Sequence, residues 1–292
     1  MTQPASPRIL ITGATGSIGK ELTKYLSGKG IPFLAMVRSA DKADDIALLP
    51  GATLVTGDFN DPVSLEKALY GIEKAFLLTN SSELAEQQQS TFVQAAQKAG
   101  VKHVVKLSQW AADVNSPVRF LRYHAVVENL IRESGMAFTF LRPNLFMQGL
   151  LGFREMIIHQ NQFYGAAGDA KISMIDIRDI AAVAGEALTG HGHEGKTYNL
   201  TGPESLSHAE MAEKLSSAVG RKIAFIDISP KMLLDMLLDI GFPVWQAEGL
   251  VEDYAHYKRG EASEVHQGVQ EAIGKTPKSF DDFALDYTTL FS

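Results

Sequence analysis

From residue 8 to residue 141 the chain alternates short apolar runs with stretches in which apolar positions recur every three or four residues. The runs Arg8–Ile11, Pro32–Val37, Thr53–Thr56, Lys74–Leu78, Val101–Leu107 and Ala137–Leu141 read as strands. Between them, Ser17–Leu26, Ala40–Leu48, Asp61–Leu69, Glu83–Ala99 and Phe120–Glu133 read as helices. Ile18, Leu22 and Leu26 line one face of the first, Pro62 suits a first helical position after Asp61, and Ser134–Gly135 ends the last. Strand–helix alternation at this spacing predicts a parallel sheet covered on both faces.

Beyond about residue 150 the rhythm loosens. Lys171–Ile175 and Lys196–Leu200 are expected to be strands bracketing a helix at Asp179–Leu188, and Lys222–Ile228 a further strand. Ser207 and Glu210 have capping-box spacing at the head of a helix that stops at Gly220. "SPKMLLDMLLDIGF", from Ser229, is a helix apolar on nearly every side, with Pro230 in its first position. The C-terminal third is expected to be a smaller lobe packed over the carboxyl ends of the strands.

The chain has 292 residues, 45% hydrophobic and 21% charged, which suits a folded domain with a sizeable core. No apolar stretch reaches the roughly 20 residues needed to span a bilayer. "MTQPASPR" has no apolar core of a signal peptide, so a cytoplasmic location is expected. The absence of cysteine excludes disulfides, thiolate nucleophiles and sulfur-ligated metals. A net charge of −7 without long Lys/Arg runs argues against nucleic-acid or membrane-surface partners. An oligomer is possible on this sequence but nothing in it indicates one.

The first strand runs into "ITGATGSIG", with glycines at 13, 16 and 19. Beyond the carboxyl ends of parallel strands, a glycine turn opening a helix can let bare backbone approach a pyrophosphate, with free N–H groups at the helix tip. The spacing differs from the usual GxGxxG, and a ligand-free tight turn remains the alternative. At the end of the second strand, "MVRSADK" offers Arg38 and Lys42 where NAD-binding folds commonly have an acid for the ribose. A guanidinium there suits a 2′-phosphate, so NADP(H) is expected in preference to NAD(H). The other reading is a solvated Arg38 with Asp41 at the ribose.

The stretches "ITGATGSIG", "MVRSADKA", "GDFND", "GVKHVVKLS", "HAVVENLIRESGMAFTFLRPNLFMQ" and "KTYNLTGPESLS" resemble the short-chain dehydrogenase/reductase superfamily, specifically its atypical NmrA-like group. That group includes NAD(P)H:quinone reductases and triphenylmethane reductases, and also a dinucleotide-binding regulator. The resemblance implies an α/β fold, a doubly wound parallel-sheet Rossmann domain with a smaller C-terminal α/β substrate lobe. Residues 1–156 would form the NADP-binding domain, with 171–202 returning to it, and 157–170 and 203–292 the substrate lobe. It implies that Gly13, Ala14, Thr15, Gly16, Ser17, Ile18 and Gly19 wrap the pyrophosphate, and that Arg38 and Lys42 hold the adenosine phosphate. Asp58 and Phe59 would flank the adenine, Thr79, Asn80 and Ser81 would lie along the cofactor, and Pro143, Asn144 and Phe146 would wall the nicotinamide.

Typical members of the superfamily use Tyr-x-x-x-Lys, the tyrosine moving the proton and the lysine holding the nicotinamide ribose. The family frame puts Phe120 and His124 in those places. The pattern recurs at Tyr25/Lys29, Tyr70/Lys74 and Tyr254/Lys258, the first two on the wrong ends of their helices. Tyr123 points about 100° away from His124 around the helix. Hydride addition to a ketone leaves an alkoxide of basicity near ~15.7, whereas a quinone gives a phenolate-like anion near ~10. That gap of about 6 units is about 8 kcal/mol less to stabilise. A site without the tyrosine should therefore favour quinones, conjugated dyes and azo or imine groups. The expected function is an NAD(P)H-dependent reductase passing hydride to a small aromatic or quinonoid molecule. The alternative is a non-catalytic dinucleotide-sensing regulator; sugar epimerisation would need the missing tyrosine.

His124 and Ser108 are the catalytic candidates. His124 could contact the ribose or the substrate oxygen, or stand in a ladder with Glu128 and Arg132. Ser108 could bond the substrate or cap a strand. Gln109, Trp110, Met147 and Gln148 could line a substrate pocket, with Met232, Met236, Phe242 and Trp245 as an apolar lid or ordinary core. "HGHE" at 191–194 reads as a solvated turn rather than a metal site.

Overall fold

The computed structural model describes residues 8–292; of the Lys42 side chain nothing is described. The described residues form a seven-stranded sheet and a two-stranded one. In chain order the strands are β1 (Ile9–Ile11), β2 (Phe33–Val37), β3 (Ala52–Thr56), β4 (Lys74–Leu77), β5 (His103–Leu107), β6 (Ala137–Pro143), β7 (Gln162–Gly165), β8 (Lys196–Leu200) and β9 (Ala224–Asp227). The large sheet has the order β3-β2-β1-β4-β5-β6-β8, every pairing parallel. The order reverses between β1 and β4, where Ile11 stands opposite Phe76. This is a doubly wound α/β fold, and the reversal opens a crevice at the strands' carboxyl ends. Thr12 locks it: its hydroxyl donates to the Phe76 and Leu78 carbonyls and accepts from the Leu78 N–H.

The helices are α1 (Ser17–Gly28), α2 (Asp44–Ala47), α3 (Pro62–Ala68), α4 (Ala85–Ala99), α5 (Arg119–Glu133), α6 (Arg154–Gln160), α7 (Ile177–Thr189), α8 (His208–Val219), α9 (Pro230–Asp239), α10 (Val244–Lys258), α11 (Gly268–Ile273), α12 (Phe280–Asp286) and α13 (Thr288–Phe291). One face of the sheet buries Leu22 and Leu26 of α1 with Ile180 and Ala184 of α7. The other buries Leu65 of α3, Phe92 and Ala96 of α4, and Val127 and Ile131 of α5. A third apolar cluster, with Phe163, Met211, Leu215, Phe280 and Phe283, is the core of the C-terminal lobe. Ser207 caps α8 with the full reciprocal box to Glu210.

Three features differ from the expectations. Lys171–Ile175 is not a strand of a sheet: Ile172 bonds Leu206, Ser173 bonds Ala262 and Ile175 bonds Leu145, so no single neighbour forms a ladder with it. The strand that pairs with β9 is instead β7, which begins directly after Asn161 ends α6 in the left-handed region. The boundary drawn at residue 156 also divides packed groups. Met147, Leu150, Ile172 and Met174 belong to the lobe's core, while Val269 and Ala272 of α11 return to the sheet's.

Candidate active site

A cleft of about 840 Å³ runs along the carboxyl ends of the large sheet, from Arg38 after β2 to Ser108 after β5. Those ends are three strand spacings apart, about 14 Å. At the crevice, Gly13 adopts φ +63°, and a Cβ there would stand 3.0 Å from the Leu78 carbonyl oxygen. Gly19 is held tighter still: its Cβ would lie 2.1 Å from the Gly13 oxygen. Glycine at both places lets the turn fold flat onto the start of α1. Gly16 caps that helix without any side chain over its N–H groups. Thr15, Gly16, Ser17 and Ile18 line the cleft there, giving an uncapped helix tip with positive partial charge, the cradle an oligophosphate requires. The Ala14 methyl is in the core rather than in the cleft, and Gly19 serves by close packing, since neither borders the open space.

At one end Arg38 is exposed, with Asp58 and Phe59 across the cleft. One Asp58 oxygen accepts the Asn60 N–H. Asp41 accepts from Ser39 and does not line the cleft. Thr79, Asn80 and Ser81 form its middle wall. Thr79 Oγ1 accepts from Gln89 Nε2, while Gln89 Oε1 is buried without a partner.

At the other end stand Ser108, Gln109, Phe120, Tyr123, His124, Pro143, Asn144 and Phe146. His124 is not in a ladder with Glu128. Its Nδ1 lies 2.8 Å from Nζ of Lys106, a fully buried lysine on β5. Burial holds the His124 imidazole neutral, well below its ordinary range, with the Lys106 and Arg142 charges adding to the effect. Burial also pushes Lys106 down to about 7, opposed by the nearby Glu128 charge. In the form in which Lys106 is protonated and donates to Nδ1, the imidazole proton sits on Nε2. A buried lysine thus stands behind this corner, on the strand rather than on the helix.

Glu128, fully buried, gathers Arg142 through Nε at 2.9 Å and Nη2 at 2.6 Å, Arg132 at 3.2 Å, and the Ser108 hydroxyl at 2.6 Å. Ser108 therefore spends its proton on Glu128 and turns only lone pairs toward the cleft. Asn144 is similarly committed, donating to Ser173 and the Ala262 carbonyl.

Several pocket residues expected from the sequence lie elsewhere. Trp110 and Met147 pack in the lobe core, and Gln148 bonds Tyr287 and the Ile177 N–H. Met232 is half exposed, and Met236 packs beside Ile228 and Leu233. Trp245 packs on Phe120 with ring centres 5.3 Å apart and the rings tilted by 52°. A turn at Gly241 separates α9 from α10, and α10 rather than the methionine helix roofs the cleft, through Leu250, Asp253 and Tyr257. Those three, with Tyr123 in the lining and Lys106 behind His124, were not foreseen from the sequence. Tyr123 reaches the cleft and shares a hydrogen bond with Ser81. Of the three Tyr-x-x-x-Lys matches, none lines the cleft: Tyr25 and Lys29 both bond Glu186, Tyr70 is exposed, and Tyr254 stacks on His208. In the 191–194 turn, His193 bonds Tyr198, and among the described residues no group of ligands suits a metal ion. A second concavity, of about 1000 Å³, lies on the α1–α7 flank by Tyr25, Lys29 and Glu186, away from every predicted site residue.

Residues 5–285 match the NmrA-like family. The chain belongs to that family. An NAD(P)H azoreductase of Xenophilus azovorans is 37% identical over 283 residues, 97% of this chain and 99% of the relative. Among solved structures, an NADPH-dependent quinone oxidoreductase from Escherichia coli, complexed with NADPH, superposes with a TM-score of 0.86 at 28% identity, over 97% of this chain and all of the other. A Citrobacter sp. triphenylmethane reductase complexed with NADP(H) gives 0.84 at 29% identity, over 96% and 99%. In this NmrA-like protein the cleft spans the same sheet reversal at which doubly wound folds hold dinucleotides.

Proposed function

We propose that this protein is an NADPH-dependent reductase that delivers hydride to a flat, electron-poor aromatic: a quinone, an azo compound or a conjugated dye. The observation that carries the reading is one continuous cleft with an uncapped helix tip midway, an exposed guanidinium at one end and a pocket roofed by Leu250, Asp253 and Tyr257 at the other. The turn at Gly13 and Gly16 and the α1 tip at Ser17 and Ile18, held in place by the close packing of Gly19, would take the pyrophosphate, and Arg38 the adenosine 2′-phosphate. Pro143 and Phe146 would wall the nicotinamide, and His124 Nε2 would donate to its ribose. When bound, the nicotinamide supplies the hydride; the chain positions the reactants and excludes water. The similarity to the azoreductase, the quinone reductase and the triphenylmethane reductase supports the substrate class.

The test is loss of reduced-nicotinamide absorbance on mixing protein and NADPH with benzoquinones, azo dyes and cationic triphenylmethane dyes. Turnover of at least one class is expected. Tight binding of NADPH and NADP⁺ alike with no turnover anywhere would instead make the protein a dinucleotide sensor. Arg38→Ala is expected to weaken NADPH about 10- to 100-fold while weakening NADH less than threefold, the value of one or two charge-assisted bonds to a phosphate. Equal losses in fluorescence titrations would remove the assignment of Arg38.

A further inference from the structure

The corner of the cleft that lacks the family tyrosine is filled by Phe120, and Phe120 is the seat of another element. A Cβ at Gly249 of α10 would stand 2.4 Å from the Phe120 ring, so the helix backbone rests on that ring. Arg119 clamps the same junction, reaching Glu252 at 2.7 Å, Glu248 at 3.0 Å and the Trp245 carbonyl at 2.9 Å. One turn beyond Gly249, on the same face, is Asp253, 5% exposed and lining the cleft. Gln109, next to Ser108 at the end of β5, donates from Nε2 to both Asp253 oxygens at 3.2 Å. Asp253 has no salt-bridge partner among the described residues, although Arg119 neutralises Glu252 beside it.

We propose that Asp253 is the proton donor of this site, delivered by α10 to the end of the cleft where Phe120 replaces the tyrosine, with Gln109 as its positioning residue. The inference rests on the reductase reading and deepens it toward substrates whose reduction needs a proton. With an azo compound, hydride adds to one nitrogen, the N=N π bond opens, and its electron pair takes the carboxyl proton at the other nitrogen. The products are a hydrazo compound, NADP⁺ and the Asp253 carboxylate, which solvent reprotonates. A cationic triphenylmethane dye needs no proton, because hydride alone neutralises its central carbon.

The other proton-bearing groups that line this end are poorer donors, and Lys106, behind His124, does not line the cleft. Ser108 is bonded to Glu128, His124 is held neutral, and burial raises both Tyr123 and Tyr257 above the ordinary phenol range. Burial, helped by the Glu252 charge and opposed by Gln109, pushes Asp253 up to about 7. The groups near it are Gln109 after β5, Tyr123 of α5, and Glu252, Tyr254 and Tyr257 of its own helix, while Ser108 and His124 line the same cleft. The acid form is the donor, so proton-dependent turnover is full below that value and declines above it.

The experiment compares wild type, Asp253→Asn and Gln109→Leu. In the cofactor-free protein, infrared difference spectra between pH 6 and 8 should show carboxylic-acid absorption lost with rising pH; Asp253→Asn should remove the part that titrates near 7 and leave the part from Asp179, which burial raises to about 6. With NADPH at pH 6, Asp253→Asn should cut kcat at least 30-fold on an azo dye and less than threefold on a cationic triphenylmethane dye. Gln109→Leu removes a bond to the carboxylate and should move the falling limb of the azo pH profile upward. Wild-type turnover with equal losses on both dyes, or an acid band unaffected by Asp253→Asn, overturns the inference alone. No wild-type turnover on any substrate overturns the reductase reading and this inference with it.

Discussion

Gly19→Ala is expected to abolish measurable NADPH binding, a loss of at least 1000-fold, although it adds one methyl group to a residue outside the open cleft. The added Cβ would stand 2.1 Å from the Gly13 carbonyl oxygen, 2.7 Å from the Ala14 Cα and 2.8 Å from the Gly13 carbonyl carbon. All three are backbone atoms, so no side chain can swing aside. To reach even 3.0 Å the Gly13 carbonyl must retreat by about 0.9 Å. That carbonyl accepts the Gly16 N–H at 3.0 Å, and Gly13 lies flush against Leu78 of the neighbouring strand's end. Retreat therefore displaces the turn that aims the helix tip. Overpacking of this kind costs about 1–3 kcal/mol of stability, which a protein of this size survives. The phosphates lose their whole set of N–H donors at once, which is the larger effect. Gly28→Ala is the control. It lies at the exposed end of the same helix, where an added Cβ meets nothing within 4 Å, so it should gain about 0.5–1 kcal/mol and leave NADPH affinity alone. Calorimetric titration with NADPH reads both variants. Wild-type affinity in Gly19→Ala would separate the glycine loop from the nucleotide.

The same contrast, between what one residue's neighbours in sequence reveal and what its neighbours in space impose, explains how much could be read beforehand. Strands buried on both faces appear as continuous apolar runs, so β1, β2, β4, β5 and β6 were legible, and with them the crevice and Arg38 at its rim. Lys106 was not. In "HVVKL" a lone lysine looks like an exposed strand position, yet all five residues are buried because α5 covers that face. Helical spacing therefore offered Glu128 as the structural alternative to a ribose contact for His124, when the strand beneath it supplies the partner. The roof was opaque for a different reason. Whether α9 or α10 covers the cleft depends on Gly249 fitting over Phe120 and on Arg119 gathering two glutamates, contacts more than a hundred residues apart in sequence. No periodicity encodes them. The methionines of α9 attracted attention by composition, while the acid that faces the cleft sits in α10, whose polar and apolar residues are scattered around its circumference. The short strand β7 is set by its pairing with β9 and carries little pattern of its own, whereas β9 lies within the Lys222–Ile228 run legible in the sequence.

Glu128→Ala is expected to cost about 3 kcal/mol of folding stability, more than any other single substitution in the cleft. Its carboxylate is fully buried and accepts four hydrogen bonds, from Ser108, Arg132 and twice from Arg142. Removing a buried partner leaves the others' charge uncompensated, typically at about 3–5 kcal/mol. The lower end applies because the Arg142 and Arg132 side chains keep 22% and 39% of their exposure and can regain some water. Glu128→Gln keeps an acceptor for Ser108 and one for Arg142, so its cost should be about half. The Glu128 charge also opposes the burial that depresses Lys106. Both variants should therefore leave Lys106 more readily deprotonated, which weakens its hold on the His124 tautomer. Urea denaturation at pH 7 gives the stability change, and ¹⁵N spectra of the His124 ring give the tautomer. A loss below 1 kcal/mol for Glu128→Ala would mean that the two arginines find other partners and that the Ser108 hydroxyl is free to serve the cleft.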